Sequence, residues 1–181
     1  PAAVFVPDYE LSTEKARQAL PRELPYKDAV YNVSRVGLLP AAMNPMVLAQ
    51  AAQQGKSGVA AAPAQDADTC ACAGGTRESP FADELAAAQA QSNALLFTAT
   101  QDKLHQPYRG TLMPPSTELI ALFRSKGYAA AVSGAGPCVL VLHYGNAREA
   151  IDQIASEQLA SGHWRVLHLP INTAGVEIER R

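Results

Sequence analysis

The chain has 181 residues, 48% hydrophobic and 18% charged, the balance of a globular protein that buries a core and not of a disordered or fibrous one. Its formal net charge is −2, with 15 basic residues scattered among 17 acidic ones, which disfavours nucleic acid and membrane surfaces as partners. No apolar run approaches the roughly 20 residues that span a bilayer, and no charged-then-apolar leader is present, so a soluble, cytoplasmic, single-domain protein is expected.

Val4 to Val6 reads as a strand, ended by Pro7-Asp8. Leu11-Ser12-Thr13-Glu14 then looks like entry into a helix with Ser12 as N-cap, running to about Leu20 and stopping before Pro21. Thr13 and Arg17 lie four residues apart, hence on one side of that helix and near its free N–H groups, an arrangement suited to a carboxylate or phosphate. The plain alternative is a cap followed by a solvated arginine. From Lys27 onward Val30, Val33, Val36, Leu39 and Met43 recur at helical spacing, which predicts a long core helix with Asn32 and Arg35 elsewhere around its axis.

Between about Pro45 and Ser92 the composition shifts to Ala, Gln, Gly and Ser, broken by Gly55, Gly58, Pro63, Gly74, Gly75 and Pro80. This predicts an insertion or loop flanked by helical pieces. Gly55-Lys56-Ser57 inside it imitates the end of a phosphate-binding loop, but Gln50 stands where the leading glycine is required. Cys70 and Cys72, one residue apart, are too cramped for an easy disulfide; with Cys138 they make an odd count that fits a reducing compartment. No second Cys or His pair lies near them, so no metal site is expected.

A helix is predicted over Ala94 to Leu104, to be ended or bent by Pro107 in His105-Gln106-Pro107-Tyr108-Arg109. A rigid bend there would hold Arg109 at a fixed angle, and guanidinium presents a planar fork matched to a carboxylate. An imidazole invites an acid–base role for His105, but a lone histidine beside a helix end is more often a packing group, and it stays outside the catalytic residues. Leu119, Ile120, Leu122 and Phe123 mark another helix, closed by Gly127.

The last third alternates: a strand over Ala129 to Val132, the turn Ser133-Gly134-Ala135-Gly136-Pro137, a strand over Val139 to Tyr144, a helix over Arg148 to Leu159 and a strand over Arg165 to Ile171. A short strand at Val176 to Ile178 completes the pattern. The two glycines of the turn allow close approach to another loop or a ligand, with an ordinary hairpin as the alternative. Strands interleaved with helices describe an α+β sandwich, ferredoxin-like, with helices covering one face of a mostly antiparallel sheet.

Leu11-Ser12-Thr13-Glu14-Lys15-Ala16-Arg17, Asn32-Val33-Ser34-Arg35, the His105 to Arg109 segment and Val132 to Pro137 resemble, in content and order, the homoserine kinases of the GHMP kinase superfamily. The likeness covers nearly the whole chain outside Pro45 to Ser92. It implies a GHMP kinase C-terminal, acceptor-side domain over residues 1–181. Family members carry a Gly/Ser-rich ATP loop of the form PxxxGLGSSAA in an N-terminal domain, and that domain is expected to be absent from this chain. By the same resemblance Arg17 and Arg109 hold the carboxylate of L-homoserine, with Thr13 near the acceptor or the transferred phosphate. Ser133, Gly134, Ala135 and Gly136 support the nucleotide loop, no catalytic residue lies in this portion, and ATP and Mg2+ bind mainly to the missing domain. A homodimer is a family-based expectation. The rivals are an amino-acid-sensing ferredoxin-like module, a GHMP kinase for another small acceptor, and a purely structural domain.

Overall fold

The computed structural model describes residues 1–44, 80–172, 175 and 178. Over these residues the elements run β1 (Ala2–Pro7), α1 (Thr13–Gln18), α2 (Tyr26–Val36), α3 (Leu39–Ala42), α4 (Pro80–Ala99), α5 (Gln106–Arg109), a 3-10 turn (Gly110–Leu112) and α6 (Pro114–Ser125). They continue with β2 (Ala129–Val132), β3 (Val139–Leu142), α7 (Arg148–Ile154), α8 (Ser156–Ala160) and β4 (Trp164–Leu169). The sheet order is β2-β3-β1-β4, and every neighbouring pair is antiparallel, which is the ferredoxin-like arrangement expected.

Register decides which residues meet the core. Phe5 pairs with Val139 and Val166, and Ala3 with Val141, while Ala130 pairs with Val141. All of these sit on one face because side chains alternate along a strand. There they bury against Leu119, Ile120 and Phe123 of α6 and Ile151 of α7. Phe5 and Phe123 meet at a tilted 5.1 Å between ring centroids. Truncating either ring to alanine costs about 3–5 kcal/mol by the usual scale of large-to-small core changes.

The opposite face differs from the expectation that helices cover only one side. Ala129 and Leu142 lie there and join a second, smaller core with Ala42 of α3 and Leu96 of α4. Leu167 and Leu169, on that same face of β4, stay 39% and 46% exposed.

Several boundaries move. The helix begun at Thr13 stops at Gln18, two residues short of Leu20, although Ser12 caps it as expected by accepting from the Lys15 N–H. The predicted long core helix is instead α2 followed by the short α3, and no residue of α2 is buried: Val33 is 73% exposed and Val36 59%. Helical spacing identifies an apolar stripe correctly but carries no information about whether a neighbour covers it. α4 starts at Pro80, inside the stretch assigned to an insertion, and ends at Ala99, not Leu104. Pro107 does not terminate it but occupies the first turn of α5, where a missing N–H is harmless. The helix expected over Arg148 to Leu159 is two helices that meet at Ala155. The rest of the insertion, Cys70, Cys72, Gly55-Lys56-Ser57 and most of Val176 to Ile178 lie outside the described residues.

Candidate functional site

Three segments separated in sequence meet at one end of the sheet. The first is α1, whose Ala16 is fully buried while Thr13 and Arg17, on the same side of the helix one turn apart, are exposed. The second is α5 and the bend before it. The third is the β2–β3 hairpin turn.

Arg109 joins the first two. Its Nε donates to the Ala16 carbonyl at 3.1 Å, across 93 residues of sequence, and the side chain is half-buried there. Its two terminal nitrogens have no acceptor among the described residues. A guanidinium fastened by Nε keeps its outer pair of N–H groups in one plane, which is the end that matches the two oxygens of a carboxylate. The side chain of Arg17, the residue after Ala16, likewise makes no hydrogen bond or ion pair among the described residues; its carbonyl accepts from the Leu20 N–H.

The bend is also tied to the sheet. The Gln106 side-chain oxygen accepts the N–H of Val132, the last residue of β2, at 3.2 Å. Beyond Val132 the turn is closed by the Ser133 N–H donating to the Cys138 carbonyl at 2.8 Å and the Gly136 N–H to the Ser133 carbonyl at 3.2 Å. Gly136 has φ of +100°, and a Cβ there would stand 2.6 Å from the Met113 sulfur and 3.5 Å from a Leu11 methyl. The turn is therefore pressed onto the start of α6 and the residue just before the Ser12 cap, and only glycine fits. Buried Ser116 fixes the same contact, donating to the Pro137 carbonyl at 2.5 Å and sharing a 2.7 Å hydrogen bond with Tyr9.

Arg109 and Gly134 border one cleft of about 530 Å3. Its floor is apolar, made by Ala131, Val132, Leu140 and Leu142 of the sheet and Val36, Leu39 and Met43 of α2, α3 and the residue after α3. Its polar end carries Asn32, Gln101, Asp102, His105 and Gln106. Thr13 and Arg17 do not line it.

Two residues that sequence reasoning passed over, Asp102 at that polar end and Arg124 outside the cleft, organise the surrounding contacts. Asp102 accepts from the backbone N–H groups of Leu104, His105 and Gln106 and from Asn32. Burial alone would raise its pKa, but these four donors outweigh it and hold the carboxyl below the usual carboxylate value. The legible signal was an acidic residue four positions before a helix start that has proline in its first turn. Arg124, on α6, donates to the Thr100 hydroxyl and to the Ala130 and Phe97 carbonyls while stacking 4.3 Å over the Phe97 ring. It is occupied structurally. His105 is exposed and rests its Nδ1 3.3 Å from Asp102.

The profile of the family described as "GHMP kinases C terminal" matches residues 81–160. Among curated proteins the chain is 34% identical over 179 residues to a homoserine kinase of Leifsonia xyli, covering 98% of this chain and 41% of that one. It is 32% identical to a homoserine kinase of Clavibacter michiganensis, covering 97% and 41%. The crystal structure of homoserine kinase from Cytophaga hutchinsonii superposes with a TM-score of 0.55 at 17% identity, over 91% of this chain and 39% of that one, a likeness of fold. The family match over residues 81–160 and the antiparallel β2-β3-β1-β4 sheet give this chain the fold of a GHMP kinase C-terminal domain. Within that class it corresponds to the C-terminal portion of homoserine kinases, spanning about 41% of the length of the curated relatives it matches. No described helix is long and apolar enough to cross a membrane.

Proposed function

We propose that this chain is the acceptor-side portion of a homoserine kinase, which transfers the γ-phosphoryl group of ATP to the side-chain hydroxyl of L-homoserine. The product is O-phospho-L-homoserine, a step toward threonine. Phosphoryl transfer depends chiefly on positioning and charge stabilisation, so the portion of the enzyme that orients the acceptor contributes to rate without touching the phosphate. The observation that carries the reading is Arg109, whose Nε is fastened to the Ala16 carbonyl and whose outer N–H pair is unclaimed at the edge of a cleft.

In this reading Arg109 grips the α-carboxylate, Arg17 adds a second positive charge, and Thr13 lies near the acceptor. Ser133 to Gly136 brace the nucleotide loop of a preceding domain. No three His, Cys, Asp or Glu side chains cluster among the described residues in a way that would hold a cation. By the likeness to homoserine kinases, Mg2+ and ATP are assigned mainly to an N-terminal domain of the full enzyme. The uncovered apolar stripe of α2 and the exposed leucines of β4 support a surface that packs against that portion. Homodimerisation belongs to the same proposal and is checked by light scattering on the full-length protein.

The full-length protein is expected to form ADP from ATP only when L-homoserine is supplied, whereas calorimetric titration of the 181-residue chain alone should detect no ATP binding and weak homoserine binding at most. Sub-micromolar ATP binding by the chain alone would overturn the assignment. Tight amino-acid binding without turnover by the full-length protein would favour a sensing module instead.

A further inference from the structure

We infer that Asp102, clamped by Asn32 of α2, is a positioning residue that presets the angle at which Arg109 enters the cleft. The inference rests on the proposed carboxylate role of Arg109.

α5 is a single turn of four residues, and so short a helix has no stability of its own. Its first N–H groups need acceptors, and His105, at the N-cap position, supplies no side-chain cap. Asp102 does this work from three residues upstream, accepting from Leu104 at 3.0 Å, His105 at 2.9 Å and Gln106 at 2.6 Å. The next residue, Pro107, has no N–H to satisfy. The turn's orientation is thus set by where the Asp102 carboxylate is held.

Asn32 holds it. Its amide nitrogen donates to Asp102 at 2.5 Å and its amide oxygen accepts the Lys103 N–H at 2.8 Å. Only a side chain with both a donor and an acceptor on one planar group makes this pair of contacts, which sets Asn32 apart from the exposed Val33 and Ser34 beside it. Neighbouring Tyr31 and Arg35 reinforce the junction by donating to Gln101 at 2.6 and 3.2 Å. Arg109 hangs from the same turn through its own N–H, which donates to the His105 carbonyl at 3.0 Å. A tilt of the turn therefore moves the guanidinium relative to Ala16 and the cleft, and misplacement by about 1 Å is enough to cost on the order of a hundredfold in an oriented reaction.

The test uses steady-state kinetics of the full-length protein with Asn32→Ala, Asp102→Asn, Arg109→Ala and the double variant Asn32→Ala/Arg109→Ala. Asn32→Ala is expected to lower kcat/KM for homoserine roughly tenfold, through a higher homoserine KM and a lower kcat, while the ATP KM stays within about twofold. In the Arg109→Ala background the same change should add nothing, since the group it positions is gone. Asp102→Asn keeps one acceptor oxygen and should fall between wild type and Arg109→Ala; if it fails to fold, the Asn32 pair carries the test. An Asn32→Ala effect of equal size in both backgrounds, or none in either, overturns the inference while leaving the role of Arg109 intact. An Arg109→Ala variant with unchanged homoserine KM brings down both.

Discussion

Alanine at position 136 should destabilise the chain far more than alanine at position 134, although both glycines lie in the same turn and both have positive φ. Gly134 has φ of +64° and nothing within 4 Å of an added Cβ, so the substitution meets only the left-handed backbone cost of about 1–2 kcal/mol. At Gly136 the φ of +100° lies further from any well an L-residue favours, and the Cβ overlaps the Met113 sulfur at 2.6 Å. Met113 is fully buried, so its flexible side chain has no solvent to retreat into. Strained backbone at about 1–3 kcal/mol and overpacking at about 1–3 kcal/mol together give roughly 2–6 kcal/mol. The assay is urea unfolding of the chain followed by fluorescence of Trp164, its only tryptophan. For a domain of this size a loss near 3 kcal/mol lowers the thermal midpoint by roughly 6–12 °C. Equal losses for the two variants would refute the claim that the turn is pressed onto α6.

Removing the Arg124 fork by Arg124→Met should cost about 2–4 kcal/mol in the same unfolding assay, because the Phe97 and Ala130 carbonyls and the Thr100 hydroxyl all lose a donor. Arg124→Lys should recover less than half of that, since one ammonium cannot reach three acceptors. Ser116→Ala should cost about 1–3 kcal/mol by leaving the Pro137 carbonyl unsatisfied, with Tyr9→Phe costing less. Asp102 has a folded-state pKa below its ordinary value, so its contribution to stability is present above the ordinary carboxylate range and is lost as pH falls through the lowered value. The stability gap between wild type and Asp102→Asn should therefore hold steady near neutral pH and close in acid; a gap that widens on acidification would contradict the hydrogen-bonded carboxylate.

The strands were legible because each is a short apolar run bounded by Pro, Gly or Asp, whereas the shared face of Phe5, Val139 and Val141 emerged only from their register in the sheet. Gly127, Gly134 and Gly136 marked turns for the same reason that they adopt positive φ. Arg109 was singled out through the proline two residues before it. What failed was long-range. The valines of α2 repeat at core spacing yet stay exposed, since periodicity describes a helix and not its neighbours. Asp102 went unnoticed because its importance comes from Asn32, 70 residues away, and from N–H groups that exist only once α5 forms. The fastening of Arg109 to Ala16 is likewise a tertiary contact that no local pattern announces.

Homoserine KM measured for Arg109→Ala in the full-length protein reaches the centre of the account. Losing a two-pronged, charge-assisted grip on a carboxylate is worth about 2–4 kcal/mol, so the KM should rise roughly 30- to 900-fold while the ATP KM stays within about twofold. An unchanged homoserine KM, or a rise confined to ATP, would contradict it.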